Sequence, residues 1–222
     1  MQAFLFDLDG TLTDTDPFHF AAWQQVMKDR DRSIDSDFYR DRIAGRTNDD
    51  CGKLLFPDYS ATQRDSLGRE KEACYRKLVT NIAPTPGLPE LLAWAKDQAV
   101  RLALVTNAPR DNCALLINSL GLADSFEVVV LGEELARSKP DPLPYVTAMS
   151  RLSVVPEQAV AFEDSIPGVV SAKGSGAVTV ALSTTQCEIS LYEAGADLVI
   201  ADFTDARLYA LLTDSAGITK DD

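Results

Sequence analysis

The sequence predicts an α/β protein with a doubly wound, mostly parallel sheet and an inserted α-helical domain. Short apolar runs have the length and composition of buried strands: Ala3–Phe6, Leu102–Val105, Val128–Leu131, Ala159–Phe162, Val178–Leu182 and Leu198–Ile200. From Pro86 onward, helical segments alternate with these runs, which is typical of a parallel sheet covered on both faces. Residues 7–101, between the first two runs, form a stretch far longer than a crossover connection needs.

In the alternating part, proline and glycine mark turns or first helical turns beside the expected helices. These helices are Leu88–Ala99, Pro109–Leu120, Pro142–Leu152, Pro167–Gly174 and Ala206–Leu212. The long interval contains two helical patterns, Phe18–Met27 and Ala61–Val79, and no convincing buried strand. We therefore predict a core domain of residues 1–13 and 86–222 and a helical cap domain of residues 14–85. The last three residues, 220–222, are expected to fray.

Composition narrows the possible partners. The 222 residues include 21 Lys and Arg against 34 Asp and Glu, a net charge of −13. Such a charge repels nucleic acid and anionic membrane surfaces, so neither is expected as a partner. A small anionic substrate stays possible, because a metal ion or a few lysines can reverse the field locally. We expect a monomer or a weak homo-oligomer.

Other features of the sequence restrict location and chemistry. No apolar run approaches the roughly 18 residues of a membrane span, and the N-terminus lacks a signal-peptide pattern. The four cysteines are dispersed, which favours reduced thiols and a cytoplasmic protein. His19 is the only histidine, which argues against a Ser-His-Asp triad and multi-histidine zinc sites.

Acidic side chains follow the first predicted strand. In open parallel sheets, ligands bind beyond the carboxyl ends of the strands. Asp7 and Asp9 stand at i and i+2, so an extended backbone points both carboxylates the same way. Two such close carboxylates repel each other, and a divalent cation relieves the repulsion. A solvated acidic turn is the alternative.

Polar residues also follow three later strands. Thr106 and Asn107 stand at the N-terminus of an expected helix and could bind an anion or only cap the helix. Lys139 precedes Pro140, which keeps the lysine in a loop where it could be merely solvated. Glu163-Asp164 repeats the pattern of carboxylates after an apolar run, with an acidic turn as the alternative. The occurrence of all these groups at strand ends on one edge of the sheet favours a functional site over the separate alternatives. Together they form a hard oxygen site for Mg²⁺ with donors for a phosphoryl group.

The same residues carry a family resemblance. Asp7-Leu8-Asp9-Gly10-Thr11, Thr106, Lys139-Pro140 and Glu163-Asp164 resemble, in order and separation, the four motifs of the haloacid dehalogenase superfamily. The resemblance covers nearly the whole chain, including the insertion, and is to the subgroup of β-phosphoglucomutases and sugar-phosphate phosphatases with a helical cap. Haloacid dehalogenases and phosphonatases generally lack the second aspartate, so Asp9 argues against cleavage of C–halogen and C–P bonds.

The resemblance implies a role for each motif residue. Asp7 would be the nucleophile that forms an aspartyl-phosphate, and Asp9 the general acid and base. Thr106 and Lys139 would bind the transferring phosphoryl group. The implied cofactor is Mg²⁺, held by Asp7, Asp9 (through its backbone carbonyl), Glu163 and Asp164. Further substrate contacts are implied for Thr11, Asp14, His19, Gly45, Arg46, Thr47, Asn48, Lys71 and Asn107.

The cap carries the evidence on specificity. Lys71 lies on an apolar helical stripe with Leu67 and Tyr75, where a lysine stem can also simply pack. Asp14, His19 and Lys71 match hinge and cap positions of β-phosphoglucomutases. The segment Gly45–Asp50 resembles the specificity loop, but it has Asn48 where the mutases carry an arginine for a second phosphate.

Three functions are compatible with these residues. The favoured one is a Mg²⁺-dependent phosphomonoester hydrolase acting on a small phosphorylated metabolite such as a sugar phosphate. The alternative is a β-phosphoglucomutase-like phosphomutase. A non-catalytic phosphate-binding module is disfavoured because both Asp7 and Asp9 are present.

Overall fold

The computed structural model describes residues 1–214; the expected fraying of residues 220–222 lies outside this range. Its sheet has six strands, all paired in parallel, in the order β3-β2-β1-β4-β5-β6. The strands are β1 (Ala3–Phe6), β2 (Arg101–Thr106), β3 (Val128–Leu131), β4 (Ala159–Glu163), β5 (Val178–Leu182) and β6 (Leu198–Ile200). This order is that of a doubly wound sheet and confirms the predicted fold class.

The α-helices connect and precede these strands. They are α1 (Asp16–Lys28), α2 (Ser36–Arg42), α3 (Asn48–Leu55), α4 (Ala61–Leu78), α5 (Leu88–Asp97), α6 (Arg110–Ser119), α7 (Leu143–Arg151), α8 (Ile166–Gly174), α9 (Glu188–Glu193) and α10 (Ala206–Asp214). Three short helices, α2, α3 and α9, were not predicted, because six to eight residues are too few for a helical period to emerge. Within residues 1–214, no helix combines the length and the apolar character that crossing a membrane requires.

The chain divides into two compact units. Of the described residues, the first contains residues 1–14 and 83–214, and therefore the whole sheet; the second is Thr15–Ile82 and contains α1–α4. The helical unit has its own apolar core, which includes Trp23, Met27, Tyr39, Leu55 and Leu67.

Side chains of β1 alternate between two differently packed faces of the sheet. Leu5 lies on a face of small aliphatic side chains that packs against Tyr145 and Met149 of α7. Phe6 lies on an aromatic face and stacks on Phe162 at 4.8 Å between ring centroids. Because β1 is paired on both sides, its carboxyl end is held rigidly between those of β2 and β4.

Candidate active site

Asp7 extends the β1 ladder by one residue. Its backbone N–H donates to the Phe162 carbonyl at 2.9 Å, and the residue is only 8% exposed. The chain then turns at Gly10, which has φ +76°, a conformation that favours glycine. The Asp7 carboxylate is thereby fixed beside the end of β4.

Lys139 crosses from its loop to the ends of two strands. Its buried Nζ donates to the Asp7 Oδ1 at 2.6 Å, to the Glu163 Oε1 at 2.5 Å and to the Val105 carbonyl at 2.7 Å. These three acceptors use all three ammonium protons. Burial alone would lower the pKa of Lys139, but Asp7 and Glu163 together raise it, so the side chain stays cationic.

Glu163 is the last residue of β4 and is completely buried. Its Oε1 also accepts from the Tyr145 hydroxyl at 2.7 Å, and its Oε2 accepts from the Ser165 hydroxyl at 3.2 Å. A Cβ at Gly168 would come within 2.1 Å of this carboxylate, so glycine is needed where α8 begins. Glu163 is therefore restrained on both oxygens and in turn orients Lys139.

The carboxylates of Asp7, Glu163 and Asp164 converge. Each offers one oxygen, and the three oxygens lie within 4.8 Å of one another. Three buried carboxylates beside one ammonium leave excess negative charge, and an all-oxygen donor set suits a hard divalent cation such as Mg²⁺. The residues thus fit the metal that the resemblance implies.

Burial and the crowding of the carboxylates raise the pKa values of Asp7 and Asp164. Burial, partly offset by Lys139 and reinforced by Glu163 and Asp9, raises the pKa of Asp7 from 3.8 to about 8. Burial and the neighbouring carboxylates also raise the pKa of Asp164 well above its usual value. Without a cation, the cluster therefore retains protons at neutral pH.

We expect Asp7→Asn to stabilise the metal-free protein increasingly as the pH rises from 5 to 8. The folded state keeps a proton on Asp7 up to about pH 8, whereas the unfolded state releases it near pH 4, so this group's contribution to stability falls across that window. Asparagine cannot ionise, so the variant does not lose this contribution to its stability as the pH rises. We expect the Tm of Asp7→Asn minus the Tm of wild type to be at least about 2 °C larger at pH 8 than at pH 5. A stability difference of roughly 1 kcal/mol moves Tm by 2–4 °C.

The exposed Asp97→Asn variant is the matched control, with no expected pH trend in its Tm difference from wild type. Equal Tm differences for Asp7→Asn at pH 5 and pH 8 would contradict the raised pKa. Saturating Mg²⁺ should remove the advantage, because the cation stabilises the ionised carboxylate of the wild type.

Thr106 is the last residue of β2, and Asn107, which follows it, holds the backbone of Lys139. The buried Thr106 Oγ1 accepts the N–H of Ala108 at 2.9 Å. The Asn107 side chain bonds the Lys139 backbone twice: its Nδ2 donates to the carbonyl and its Oδ1 accepts the N–H, both at 3.3 Å. Asn107, predicted to contact substrate, thus ties the lysine loop to the end of β2.

The turn after β1 brings two further predicted residues to this edge. Asp9 is half-buried and close enough that its charge raises the pKa of Asp7, although its carboxylate is outside the group of three close ones. Thr11 is fully buried, with its Oγ1 3.5 Å from the Asp164 Oδ1. Asp14 is exposed and is the last residue of the N-terminal segment of the unit that contains the sheet.

A second polar cluster lies inside the helical unit. The Lys71 Nζ is 2.7 Å from the His19 Nδ1 and donates to the Glu72 Oε1 at 2.9 Å. The same Glu72 oxygen accepts from the Asn48 Nδ2 at 2.7 Å. His19 stacks on Tyr75 at 4.1 Å between centroids. Three of the predicted cap residues therefore meet around a carboxylate, Glu72, that the sequence did not single out.

Glu72 stays ionised in this cluster. Burial alone would raise its pKa, but the charge of Lys71 and the hydrogen bond from Asn48 outweigh burial and hold the pKa below its usual value. The ammonium of Lys71 is consequently already neutralised by an adjacent carboxylate.

The predicted specificity loop requires a correction. Gly45, Arg46 and Thr47 are exposed and precede a helix, but Asn48–Asp50 are the first turn of α3 rather than loop. Thr47 is the N-cap, and its Oγ1 accepts the Asp50 N–H at 3.2 Å. Thr-Asn-Asp-Asp is a capping pattern, a signal that could have identified this helix start.

Sequence reasoning also missed residues at the sheet site. Tyr145 binds Glu163 from α7, and Thr185 follows β5 and binds Asp164 at 2.6 Å. Tyr145 resembled an ordinary core residue of an amphipathic helix. Ser183-Thr184-Thr185, however, comes directly after a buried strand, and inspection of the fifth strand end would have found it.

Comparison with known proteins agrees with this geometry. Residues 4–182 match the family model for haloacid dehalogenase-like hydrolases. A phosphorylated carbohydrates phosphatase of Thermotoga maritima is 33% identical over 181 residues, covering 79% of this chain and 82% of that protein. A beta-phosphoglucomutase of Bacillus subtilis is 30% identical over 220 residues, covering 95% and 94%.

A solved structure extends the likeness to three dimensions. The crystal structure of CbbY from Rhodobacter sphaeroides in complex with phosphate matches with a TM-score of 0.81 and 28% identity, covering 92% of this chain and 96% of that one. These similarities confirm the resemblance drawn from the motifs and the expectation of a phosphatase-type enzyme. The chain belongs to the haloacid dehalogenase-like hydrolases.

Proposed function

We propose that this protein is a Mg²⁺-dependent phosphomonoesterase that acts on a small phosphorylated metabolite, in the class of sugar monophosphates, through an aspartyl-phosphate. The observation that carries the proposal is the buried group of Asp7, Glu163 and Asp164 with Lys139 bonded to two of them. Relatives named as phosphatases of phosphorylated carbohydrates support the substrate class.

The reaction would proceed in two displacements. An oxygen of Asp7 attacks the phosphorus, the bond from phosphorus to the ester oxygen breaks, and Asp9 gives its proton to the departing alkoxide. Asp9 then takes a proton from water, whose oxygen attacks the aspartyl-phosphate, releasing phosphate and restoring the Asp7 carboxylate. Mg²⁺, when bound, neutralises phosphoryl charge and keeps Asp7 ionised.

The other residues of the site would bind and orient. Lys139 offers charge to the phosphoryl oxygens and is aimed by Glu163 and the Val105 carbonyl. The hydroxyl of Thr106 can donate to a phosphoryl oxygen while its oxygen holds the Ala108 N–H. Asp164 and Asp7 would hold the cation with Glu163 and the Asp9 carbonyl.

We propose that residues 14–85 serve as the cap that selects substrates, with contacts from His19, Lys71 and the segment Gly45–Asn48. The Glu72–Lys71 ion pair of 2.9 Å supports hydrolysis over phosphomutase activity. A mutase must grip a second phosphate, and a paired lysine beside an asparagine offers little net positive charge for that purpose.

We expect phosphate release from sugar monophosphates to exceed conversion of β-glucose 1-phosphate to glucose 6-phosphate by about tenfold or more. A charge-assisted hydrogen bond contributes about 1.5–3 kcal/mol. The absence of a bidentate arginine should therefore lower the affinity for a second phosphate group by about tenfold or more. The measurement is a panel of phosphorylated metabolites with Mg²⁺, scored for phosphate release and, with bisphosphate primer, for isomerisation.

A double variant tests the specificity argument directly. Asn48→Arg/Glu72→Gln introduces the arginine and removes the carboxylate that would pair with it, so the ratio of isomerisation to hydrolysis should rise. Asp58→Asn/Asp65→Asn adds the same charge on exposed positions of the helical unit and should leave that ratio unchanged. Primed isomerisation by the wild type that outruns hydrolysis would favour the mutase alternative.

A further inference from the structure

The Asp164 carboxylate is enclosed by more than the residues of the motifs. A Cβ at Gly10 would lie 2.1 Å from the Asp164 Oδ2, so the turn after β1 approaches this oxygen as only glycine permits. Thr11 Oγ1 lies 3.5 Å from the other oxygen. The remaining side is occupied by Thr185, from the loop after β5.

Thr185 makes the shortest hydrogen bond of Asp164 in the structure. Its Oγ1 is 2.6 Å from the Asp164 Oδ2 and 3.0 Å from the Asp164 carbonyl. A threonine hydroxyl has one proton, and the nearer acceptor, the Asp164 Oδ2, takes it. The bond therefore restrains the rotation of the side-chain carboxyl group of Asp164, a residue that is only 4% exposed.

The loop that carries Thr185 is anchored on two sides. The Ser183 N–H donates to the Ile200 carbonyl of β6 at 2.9 Å. The Thr184 Oγ1 donates to the Gly10 carbonyl at 2.6 Å, so the loop is tied to the turn that follows Asp9. The two residues that precede Thr185 are consequently anchored, which restrains the position from which its hydroxyl reaches Asp164.

We propose that Thr185 is a positioning residue that presents the Asp164 carboxylate to the divalent cation. This inference takes from the proposed function one assignment, that Asp164 is a metal ligand. A neighbour that fixes a ligand's orientation reduces the reorganisation on binding, and loss of such partners costs about 10–100-fold in metal affinity. The proposal gives Thr185 a contact with Asp164 alone and none with substrate or cation, so its expected effect is on affinity for the metal.

The test measures metal binding without substrate. Mn²⁺ is titrated into metal-free protein and the free ion is followed by its EPR signal, with Mg²⁺ as competitor. Thr185→Val keeps the shape and removes the hydroxyl, and we expect binding of both ions to weaken about tenfold or more. Thr185→Ser keeps the hydroxyl and should stay within about threefold of wild type.

A matched control separates positioning from general damage. Thr147→Val removes a hydroxyl that bonds only within α7, to the Leu143 carbonyl at 2.7 Å, and should leave both affinities unchanged. Metal affinity of Thr185→Val within threefold of wild type, or an equal loss in Thr185→Ser, would overturn the proposal, as would a wild type that binds neither ion. If the wild type binds metal but hydrolyses no phosphomonoester, the proposed function fails while this inference is still decided by the variants.

Discussion

Replacing Asp7 with asparagine should lower turnover by at least about 10³-fold while leaving the fold intact. The change is nearly isosteric, and the buried site keeps an oxygen for the Lys139 ammonium. An amide oxygen, however, is not a nucleophile toward phosphorus, and losing the covalent route should raise the barrier by at least about 4 kcal/mol, or three factors of ten.

The measurement is kcat for the best substrate of the panel, with circular dichroism and Tm to verify the fold. Rapid acid quench followed by intact-mass analysis should find one added phosphoryl group on the wild type during turnover and none on Asp7→Asn. Asp97→Asn, an exposed aspartate at the end of α5, should retain wild-type turnover. Residual activity of Asp7→Asn within about tenfold of wild type would remove Asp7 as the nucleophile.

The sheet and its reactive edge could be predicted because their determinants are local. Each strand is a short apolar run, and all six observed strands begin and end within one residue of the predicted bounds. The parallel arrangement then places whatever follows β1, β2 and β4 at one edge. Asp7, Thr106 and Glu163 are therefore recoverable from position in the sequence alone.

The pairing within that edge could not be predicted, because it depends on side-chain directions between distant segments. Nothing in the sequence indicates that Lys139 divides its protons among Asp7, Glu163 and the Val105 carbonyl. The Thr185 contact to Asp164 likewise joins two loops that follow different strands.

Helix α3 shows a different limit. Its eight residues contain Gly52, which is unfavourable in a helix interior, so local propensity argues against the helix. The reason is tertiary: a Cβ at Gly52 would lie 3.1 Å from the Arg64 Cγ, so glycine allows α4 to pack closely. The fact that Asn48 meets Glu72 follows from this packing and not from any motif.

Removal of divalent metal should lower the rate of phosphate release by at least about 100-fold. When Asp7, Glu163 and Asp164 are ionised, the ammonium of Lys139, bonded to Asp7 and Glu163, balances one of the three charges, and a phosphate dianion would add to the negative charge. Like charges at such distances in a buried site repel by several kcal/mol, and a divalent cation offsets that repulsion.

The experiment is exhaustive chelation followed by titration with single cations. Mg²⁺ should restore the rate, Mn²⁺ should substitute, and Ca²⁺ should bind but support poor catalysis, because its larger and looser coordination positions the reacting groups less well. Asp164→Ala should raise the Mg²⁺ concentration needed for half-maximal rate, with partial recovery at high Mg²⁺, whereas the exposed Asp124→Ala should not. Full activity after chelation would contradict the metal requirement and would leave Lys139 as the group that neutralises the cluster during the reaction.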